Sequence, residues 1–391
     1  MGKFFLGGVL FLNILLTTDY FPPHVGGGVE QVTYHVAEEL VRRGHQVAVV
    51  TLNTCNASKM ENLNGIHVYR ASPIELTNIL GIQSSISTEV VQLMREVCLK
   101  EQTNVVHANN MYFCTTIAAC LNLKPLGIPL VTTLHIGSIS ELGGIAHYAA
   151  ALYERSIGRW ILRKSNHVVA VSEAVKMYAE TLGVDSCKVS VVPNAVDTLT
   201  FRPFSREDAP DGVVRVGFIG RLISNKGAQY LVEAAPQILH EFSNVQFHVA
   251  GDGPMLRELE HRVKQLGVED SFRFLGTVPS NVEFIQSCDI LVRPSLTDGM
   301  PLTVLEAMAC GVPNVATRIG GTPEILHDAD TGYLVEPKNV GELVSRISKL
   351  VADPELRTRM GCRARGFVEK YYSWDQVGRQ LSAIYEGALN S

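Results

Sequence analysis

Short apolar runs alternate along this chain with longer segments of helical periodicity, and no other feature restricts the fold as strongly. Apolar runs of about four to eight residues that are bounded by turn residues are typical of buried strands. Parallel neighbours among such strands need a long crossover, which is usually a helix. The alternation therefore predicts a parallel α/β fold. The runs lie at residues 46–52, 104–108, 129–134, 167–171, 188–192, 213–219, 245–250, 289–292 and 314–317.

A polar stretch at residues 203–212 divides these runs into two series. It contains Pro203 and Pro210, has no apolar period and is followed at once by a new buried run. Such a composition is typical of a linker. We therefore expect an N-terminal Rossmann-like domain over residues 1–202 and a second one over residues 213–371, each large enough for its own core.

The last segment, residues 372–391, is predicted to form a helix. It opens with the capping-box pattern of Ser373 to Gln376, and apolar residues follow at helical spacing. These residues are Trp374, Val377, Leu381 and Ile384.

The N-terminal run from Phe4 to Leu16 is largely apolar but too short to span a bilayer as a helix. Asn13 interrupts it, and no small-residue cleavage pattern follows it. We interpret it as the first buried strand with an irregular start, and membrane contact is the alternative.

Charge and cysteine content exclude several classes of protein. The chain carries 34 Lys and Arg against 39 Asp and Glu, so it lacks the basic surplus of a nucleic-acid-binding protein. Its eight Cys form neither a C-x-x-C pair nor a metal-ligand spacing, which favours reduced thiols in a cytoplasmic protein. The one D-x-D motif, Asp328-Ala-Asp330, lies in a polar turn, and we interpret it as a surface loop rather than a metal site.

The stretch from Arg293 to Pro313 carries the strongest chemical signal. A strand runs into a Gly/Pro turn and then a helix, with Asp298 in the turn and Glu306 within the helix. Pro301 suits the first helical position, and the amides near it lack intrahelical partners, so they form an anion site. A sugar nucleotide, with its hydroxyls, diphosphate and ribose, has the matching polarity. The residues expected to bind it are Gly299, Met300, Leu302, Thr303 and Glu306.

Further candidates follow other strands. Arg221 and Lys226 lie on the loop after residues 216–219, where two cations suit a diphosphate whose charge grows as its sugar leaves. His135 ends the run at 130–134, at a carboxyl edge where catalytic groups collect, although a lone His is usually a packing residue. The candidates that precede a helix are Gly27 and Gly28, whose bare backbone lets a phosphate approach.

These motifs together resemble the retaining glycosyltransferases of family 4, which have the GT-B architecture. The resemblance rests on an acid, seven residues, an acid and then Ala-Met-Ala-x-Gly-x-Pro, with Asp298 where the family usually has Glu. The remaining motifs, in the family's order, are Gly26-Gly-Gly-Val-Glu30, Arg43-Gly-His-Gln-Val47, Leu134-His135, Val192-Pro-Asn-Ala-Val-Asp197, Gly220-Arg-Leu222 with Lys226-Gly227, Gly251-Asp-Gly-Pro254 and Gly320-Gly-Thr-Pro-Glu324.

The resemblance implies two Rossmann-like domains that face each other across a cleft, with a C-terminal helix that crosses back to the first domain. It implies that Asp298 holds donor-sugar hydroxyls and Glu306 the ribose, while Arg221 and Lys226 neutralise the leaving nucleoside diphosphate without a metal. It also implies donor contacts for Gly27 and Gly28, and a His135 that faces the donor sugar and phosphate. No cofactor is expected. Retention by front-side displacement is the implied mechanism.

Two other functions stay open. A sugar-nucleotide epimerase of the same architecture needs no acceptor, and a non-catalytic homologue is suggested by the shorter Asp298. A transferase acceptor is a lipid phosphate, a glycan or a small molecule. Arg155, Arg159 and Arg163 form a basic stripe on a helix predicted over residues 146–164, which is either a solvated face or a site of peripheral contact with the inner face of a membrane.

Overall fold

The computed structural model folds the chain into two compact units. One comprises Met1–Asn194 with Trp374–Ser391, and the other comprises Ala195–Ser373. Each unit is built on a parallel sheet, which confirms the predicted α/β class. Most of the predicted linker, residues 205–211, lies outside the residues that the structure describes. The described residues are 4–6, 9–24, 27–75, 85–138, 144–204 and 212–390.

The first unit contains, within its described residues, an eight-stranded sheet. Its strands are β3 Asn13–Thr17, β4 Gln46–Leu52, β5 Met60–Leu63, β6 Ile66–Ala71, β9 Val105–Asn109, β10 Leu130–Leu134, β11 His167–Ala170 and β12 Val189–Val191. They lie in the order β12-β11-β10-β9-β3-β4-β6-β5. All neighbours pair in parallel except β5 and β6, which form an antiparallel edge. The inner strands are buried on both faces, which explains why their sequences are continuous apolar runs.

Helices connect these strands, and their apolar positions recur at helical spacing. In the first helix, for example, Val32, Val36 and Leu40 lie one turn apart and are buried. The helices of the first unit are α1 Gly28–Arg42, α2 Val90–Lys100, α3 Cys114–Leu126, α4 Gly144–Tyr153, α5 Arg159–Lys164, α6 Glu173–Thr181 and α14 Trp374–Leu389. A π-helical segment, Glu154–Gly158, joins α4 to α5, so the helix predicted over 146–164 has an irregular turn in its middle.

The run from Phe4 to Leu16 contains the expected first buried strand, and its irregular start is a separate pair of short strands. The strand of the large sheet begins at Asn13, while β1 Phe4–Leu6 and β2 Val9–Phe11 pair antiparallel with each other. Asn13 marks the boundary because its side-chain amide donates to the carbonyls of Glu101 and Gln102. In the described part of the chain, no helix combines the length and the apolar character needed to cross a bilayer.

A second difference is the β5–β6 hairpin, which periodicity alone did not predict. Asn64 and Gly65 connect its strands with φ angles of 52° and 86°. Asn-Gly is the sequence signal for such a turn, because both positions need a positive φ. The small pair β7 Ile74–Glu75 and β8 Ser85–Ile86 was not predicted either.

The C-terminal helix α14 packs inside the first unit, as the resemblance implied. Arg43 donates to Asp375 at 2.6 Å and to Glu39 at 2.7 Å, which ties α1 to the start of α14. Further along α14, the hydroxyl of Tyr385 lies 2.6 Å from Nδ1 of His107, and Nε2 of His107 lies 2.6 Å from the hydroxyl of Thr133. The tyrosine ring is fully buried, so α14 belongs to the core of this unit.

We expect Tyr385→Phe to reduce the free energy of unfolding by about 1–3 kcal/mol, because the buried nitrogen of His107 loses its partner. Urea denaturation measures this change. The matched control is Tyr371→Phe, at an exposed tyrosine, and it is expected to leave stability within about 0.5 kcal/mol of wild type. Equal effects of the two substitutions would contradict the role assigned to the buried hydroxyl.

The second unit contains, within its described residues, a six-stranded parallel sheet in the order β15-β14-β13-β16-β17-β18. Its strands are β13 Val214–Ile219, β14 Val245–Ala250, β15 Phe272–Gly276, β16 Ile290–Arg293, β17 Asn314–Thr317 and β18 Gly332–Val335. Its helices are α7 Ala228–Glu241, α8 Leu256–Gln265, α9 Asn281–Ser287, α10 Leu302–Ala309, α11 Thr322–Ile325, α12 Val340–Ala352 and α13 Pro354–Tyr371. The strand order reverses between β13 and β16, and ligands of open α/β sheets bind at the carboxyl ends of the strands at such a point.

Candidate functional site

The loops that leave β13 and β16 are held together by backbone contacts. The amide of Leu296 donates to the carbonyl of Asn225 at 2.7 Å, and the side chain of Asn225 donates to Thr297 at 3.2 Å. Gly227 has a φ of 80°, and a Cβ there would lie 1.8 Å from the carbonyl oxygen of Pro294. Only glycine allows this approach, which brings Lys226 beside the residues that follow β16.

Asp298 lies at the centre of the site and is bound by two cations. Its Oδ1 accepts from Nζ of Lys226 at 2.6 Å, and its Oδ2 accepts from Nε of Arg293 at 3.0 Å. Nη2 of Arg293 also donates to Oδ1 at 3.2 Å. Arg293 is itself fixed, because its Nη1 donates to the carbonyl of Ile219 at the end of β13. Asp298, Lys226 and Arg293 are named here the ion-pair triad.

The ion-pair triad carries one excess positive charge in a largely buried setting. Burial alone would raise the pKa of Asp298, but the charges of Arg293 and Lys226 outweigh it and hold that pKa well below its usual range. Burial lowers the pKa of Lys226; the Asp298 charge opposes this shift, while the charges of Arg293 and Arg221 reinforce it. A buried excess charge of this kind favours an anionic ligand.

Glu306 is the second carboxylate of the motif and lies in the second turn of α10. It is 5% exposed, and its Oε2 has no hydrogen-bond partner among the described residues. Burial raises its pKa to about 7, although the charge of Arg293 opposes the shift. A buried acceptor without a donor is destabilising, so this oxygen is suited to accept hydrogen bonds from a ligand's hydroxyls.

A second close approach, between two backbone segments, supports the turn before α10. A Cβ on Gly320 would lie 1.8 Å from the carbonyl oxygen of Asp298, and the amide of Gly321 donates to the carbonyl of Gly299 at 2.6 Å. The helix begins at Leu302, with Pro301 as its N-cap residue rather than the predicted first helical residue. The first amides of α10 have no intrahelical acceptor, and the helix begins four residues after Asp298 of the ion-pair triad.

The other predicted residues around this turn have defined environments. Met300 is buried, and the hydroxyl of Thr303 is a further buried oxygen without a partner among the described residues. Leu302 is half-buried, and Arg221 is exposed but close enough to affect the pKa of Lys226. The structure therefore brings Lys226 into contact with Asp298, while the charge of Arg221 acts on Lys226 and the charge of Arg293 acts on Glu306.

His135 lies at the carboxyl edge of the first unit's sheet. The side-chain amide of Asn109 donates to the carbonyl of Thr17 at 3.4 Å, so its oxygen faces Nε2 of His135 at 2.9 Å. Nε2 of His135 must therefore carry the proton. Burial lowers the pKa of His135 to about 4, which keeps the ring neutral near pH 7. Its contact with a donor stays a prediction.

Gly27 and Gly28 lie at the start of α1. Gly27 is the N-cap residue, and a Cβ on it would lie 2.8 Å from Oε2 of Glu30. The carboxylate of Glu30, in the first helical turn, thus folds back over the N-terminus, where its negative charge is favourable. Donor binding by these two glycines stays a prediction.

Arg293 and Asn109 are the site residues that the sequence interpretation missed. Both had a usable signal, because each is a polar residue that ends a buried strand. A buried arginine requires a partner, so Arg293 at the end of β16 predicts a nearby carboxylate. By contrast, Asp328 and Asp330 are exposed and paired with Arg318 and Arg363, as expected for a surface loop.

We expect the stability of the wild type relative to Glu306→Gln to fall as pH rises. At pH below 4.5 the carboxyl group is protonated in both the folded and the unfolded state, whereas above about pH 7 the charge is buried on folding. The substitution should therefore stabilise the protein at pH 8 by on the order of 3 kcal/mol and have little effect at pH 4.5. Chemical denaturation of both proteins at the two pH values measures this difference, and a pH-independent difference would contradict it.

Comparison with known proteins places the chain in a family. Residues 26–199 match the model described as Glycosyltransferase Family 4, and residues 203–367 match the one described as Glycosyl transferases group 1. A phosphatidylinositol N-acetylglucosaminyltransferase subunit from Arabidopsis thaliana is 30% identical over 97% of this chain and 82% of that protein. N-acetyl-alpha-D-glucosaminyl L-malate synthase from Bacillus anthracis is 28% identical over 94% of this chain and 95% of that protein.

Solved structures support the same fold. Sucrose-phosphate synthase from Thermosynechococcus elongatus superposes with a TM-score of 0.84 at 20% identity, over 97% of this chain and 99% of that one. Anabaena HepE in complex with UDP-glucose gives a TM-score of 0.78 at 18% identity, over 96% of this chain and 100% of that one. The protein therefore belongs to the group 1, family 4 glycosyltransferases and is an enzyme of the GT-B fold.

Proposed function

We propose that this enzyme transfers N-acetylglucosamine from UDP-N-acetylglucosamine to a hydroxyl group of an anionic acceptor, with retention of the anomeric configuration and without a metal ion. The observation that carries the proposal is the buried, positively charged ion-pair triad beside the first amides of α10 and the unpartnered oxygen of Glu306. This arrangement supplies charge for a diphosphate and an acceptor for ribose hydroxyls, and the charge of Arg293 acts on Glu306.

Each residue has a role in donor binding. Lys226 and Arg221 bind the diphosphate, with the amides at the start of α10 as additional donors. Glu306 accepts hydrogen bonds from the ribose hydroxyls. Asp298 accepts a hydrogen bond from a hydroxyl of the transferred sugar. Its carboxylate is ionised at any physiological pH because Arg293 and Lys226 depress its pKa.

The chemical step is a displacement on the face from which the diphosphate departs. The bond between the anomeric carbon and the diphosphate oxygen breaks, and the acceptor oxygen bonds to the same carbon. The acceptor's proton passes to the departing diphosphate oxygen. Negative charge grows on the diphosphate in the transition state, so fixed cations at Lys226 and Arg221 lower the barrier there more than in the ground state.

The identity of the donor is supported by the names of the relatives. The Arabidopsis and Bacillus proteins are both named for an N-acetylglucosaminyl group. HepE is solved with UDP-glucose and with UDP. We therefore hypothesise that the donor of this enzyme combines uridine diphosphate with an N-acetylglucosaminyl group.

The names of the same two relatives indicate two candidate acceptors, which share a chemical feature. Phosphatidylinositol and L-malate each carry a hydroxyl group near a negative charge. We favour the lipid because the first unit has an exposed basic stripe, formed by Arg155, Arg159 and Arg163. Tyr148 and Leu152, on the preceding turns, are 75% and 70% exposed. Exposed apolar side chains followed by cations are typical of helices that lie at an anionic membrane surface.

The purified protein is expected to release UDP from UDP-N-acetylglucosamine only when phosphatidylinositol vesicles or L-malate are added, and equally well in EDTA. Mass spectrometry identifies the glycosylated acceptor, and NMR gives its anomeric configuration. Arg221→Ala and Lys226→Ala should each reduce turnover on the order of a hundredfold, because each removes a charge that stabilises the leaving group. Arg257→Ala, at an exposed arginine of α8, is the control.

Other outcomes of this assay would favour a different function or a different acceptor. Conversion of the donor into an epimer without an acceptor would favour an epimerase. Donor binding with neither release nor conversion would favour a non-catalytic homologue. Transfer to malate alone would retain the transferase and reject the lipid.

Vesicle binding provides a separate prediction for the basic stripe. The triple substitution of Arg155, Arg159 and Arg163 by Ala should weaken binding to vesicles that contain phosphatidylinositol by about tenfold or more, since each arginine near an anionic surface contributes on the order of 1 kcal/mol. Co-sedimentation with vesicles measures it. The control replaces three exposed cations of the second unit, Arg257, Lys264 and Lys349. Equal loss in both proteins would reject the stripe as the contact surface.

A further inference from the structure

We propose that Arg293 is a positioning residue that allows Lys226 to exchange partners, from Asp298 in the free enzyme to the diphosphate in the donor complex. The proposal rests on the proposed function of the same site and adds a role for a residue that touches no donor group in it. Arg293 would keep Asp298 neutralised and fixed in both states. The exchange then leaves no buried charge without a partner.

The two cations of the ion-pair triad differ in how many side-chain contacts hold them. Arg293 makes two contacts with the carboxylate of Asp298 and a third with the carbonyl of Ile219 at 3.2 Å, so three donors of its fork are fixed by the protein. A Cβ on Gly220 would lie 3.0 Å from Nη1 of Arg293. The absence of a side chain at Gly220 therefore leaves space for the guanidinium. Lys226 makes one side-chain contact that the structure resolves, to Oδ1 of Asp298 at 2.6 Å.

The two cations also differ in how freely they move. A guanidinium held at several points is rigid, whereas an ammonium on a four-carbon stem is a point charge that redirects easily. The side chain of Arg293 is 9% exposed and that of Lys226 is 17% exposed. Lys226 is therefore the cation that moves and Arg293 the one that stays.

The acceptor capacity of Asp298 fits such an exchange. A carboxylate offers about four lone-pair sites. In the structure, Oδ1 is already shared by Lys226 and Arg293, while Oδ2 is bound by Nε of Arg293. When Lys226 turns to the diphosphate, Oδ1 gains room for a sugar hydroxyl. Diphosphate binding and sugar binding are then coupled through one lysine.

Without Arg293 the exchange would be unfavourable. Moving Lys226 to the diphosphate would leave Asp298 as a buried, unpaired carboxylate, and such a charge is strongly destabilising. This penalty would be subtracted from the free energy of nucleotide binding. Removing the charge of Asp298 at the same time would remove the penalty. The affinity for UDP, which contains the diphosphate and the ribose but no transferred sugar, reports this effect separately from turnover.

The test is a double-mutant cycle with UDP, measured by isothermal titration calorimetry on the full chain. Arg293→Met is expected to weaken UDP binding by about tenfold or more. Asp298→Asn alone is expected to strengthen it severalfold, since both cations become available. The double variant is expected to return to within about threefold of wild type, so the two effects are not additive.

Controls exclude a loss of folding. Arg357→Met removes a half-buried arginine of the same unit that donates to the carbonyls of Leu350 and Val351, away from the site. It should lower the thermal midpoint without changing the UDP affinity. If Arg293→Met does not fold, Asp298→Asn still decides the matter, because a weaker UDP affinity in that variant would overturn the exchange.

The remaining outcomes are also distinct. Failure of the double variant to recover UDP affinity would show that Arg293 acts on the fold alone and would overturn the proposal. If the cycle behaves as expected but the wild type transfers no sugar, the proposed function fails while the exchange of partners stands. If the wild type binds no UDP, both are rejected.

Discussion

The candidate site in the second unit depends on one electrostatic arrangement, a largely buried carboxylate bound by two largely buried cations at the point where the strand order reverses. Arg293 ends β16, Asp298 lies in the turn that follows that strand, and Lys226 belongs to the loop that follows β13. Because an unpaired carboxylate in this position would be strongly destabilising, Asp298 needs at least one bound cation. The close backbone approach at Gly227 holds the loop of Lys226 against the segment after β16, and the approach at Gly320 supports the turn of Asp298 from the loop after β17. The excess positive charge that results is the feature on which the proposed diphosphate site rests.

The first unit uses buried polar groups in a different way. His135 and His107 are both neutral near pH 7, because burial lowers the pKa of His135 to about 4 and that of His107 to about 3, with the charge of His135 contributing to the latter shift. The His107 ring joins α14 to the sheet, while Asn109 fixes the orientation of His135. These groups form a preorganised network rather than an excess of charge. Its hydrogen bonds give the carboxyl edge of this sheet a defined geometry.

Much of the fold was predictable because strand periodicity and turn chemistry are local. The nine apolar runs match observed strands to within one residue at nearly every end, and the C-terminal helix begins at Trp374, inside its capping-box pattern. The separate β1–β2 pair was missed because an apolar run does not reveal where a strand changes partners. In the site, Asp298, Lys226 and Glu306 were found through their spacing in a motif. Arg293 ends an apolar strand, and this local signal predicts that it has a partner. Which partners it has, Asp298 and the carbonyl of Ile219 on another strand, is decided by tertiary contacts that the sequence interpretation did not include.

The measurement that tests the central claim most directly is the equilibrium binding of UDP to the wild type and to Lys226→Met, in the presence of EDTA. If the ion-pair triad forms a nucleoside diphosphate site that needs no metal, the wild type binds UDP in the chelator. Lys226→Met then binds it at least about tenfold more weakly, because a charge-assisted contact with the diphosphate is lost. Equal affinities for the two proteins, or binding that disappears when EDTA is added to the wild type, would contradict the account.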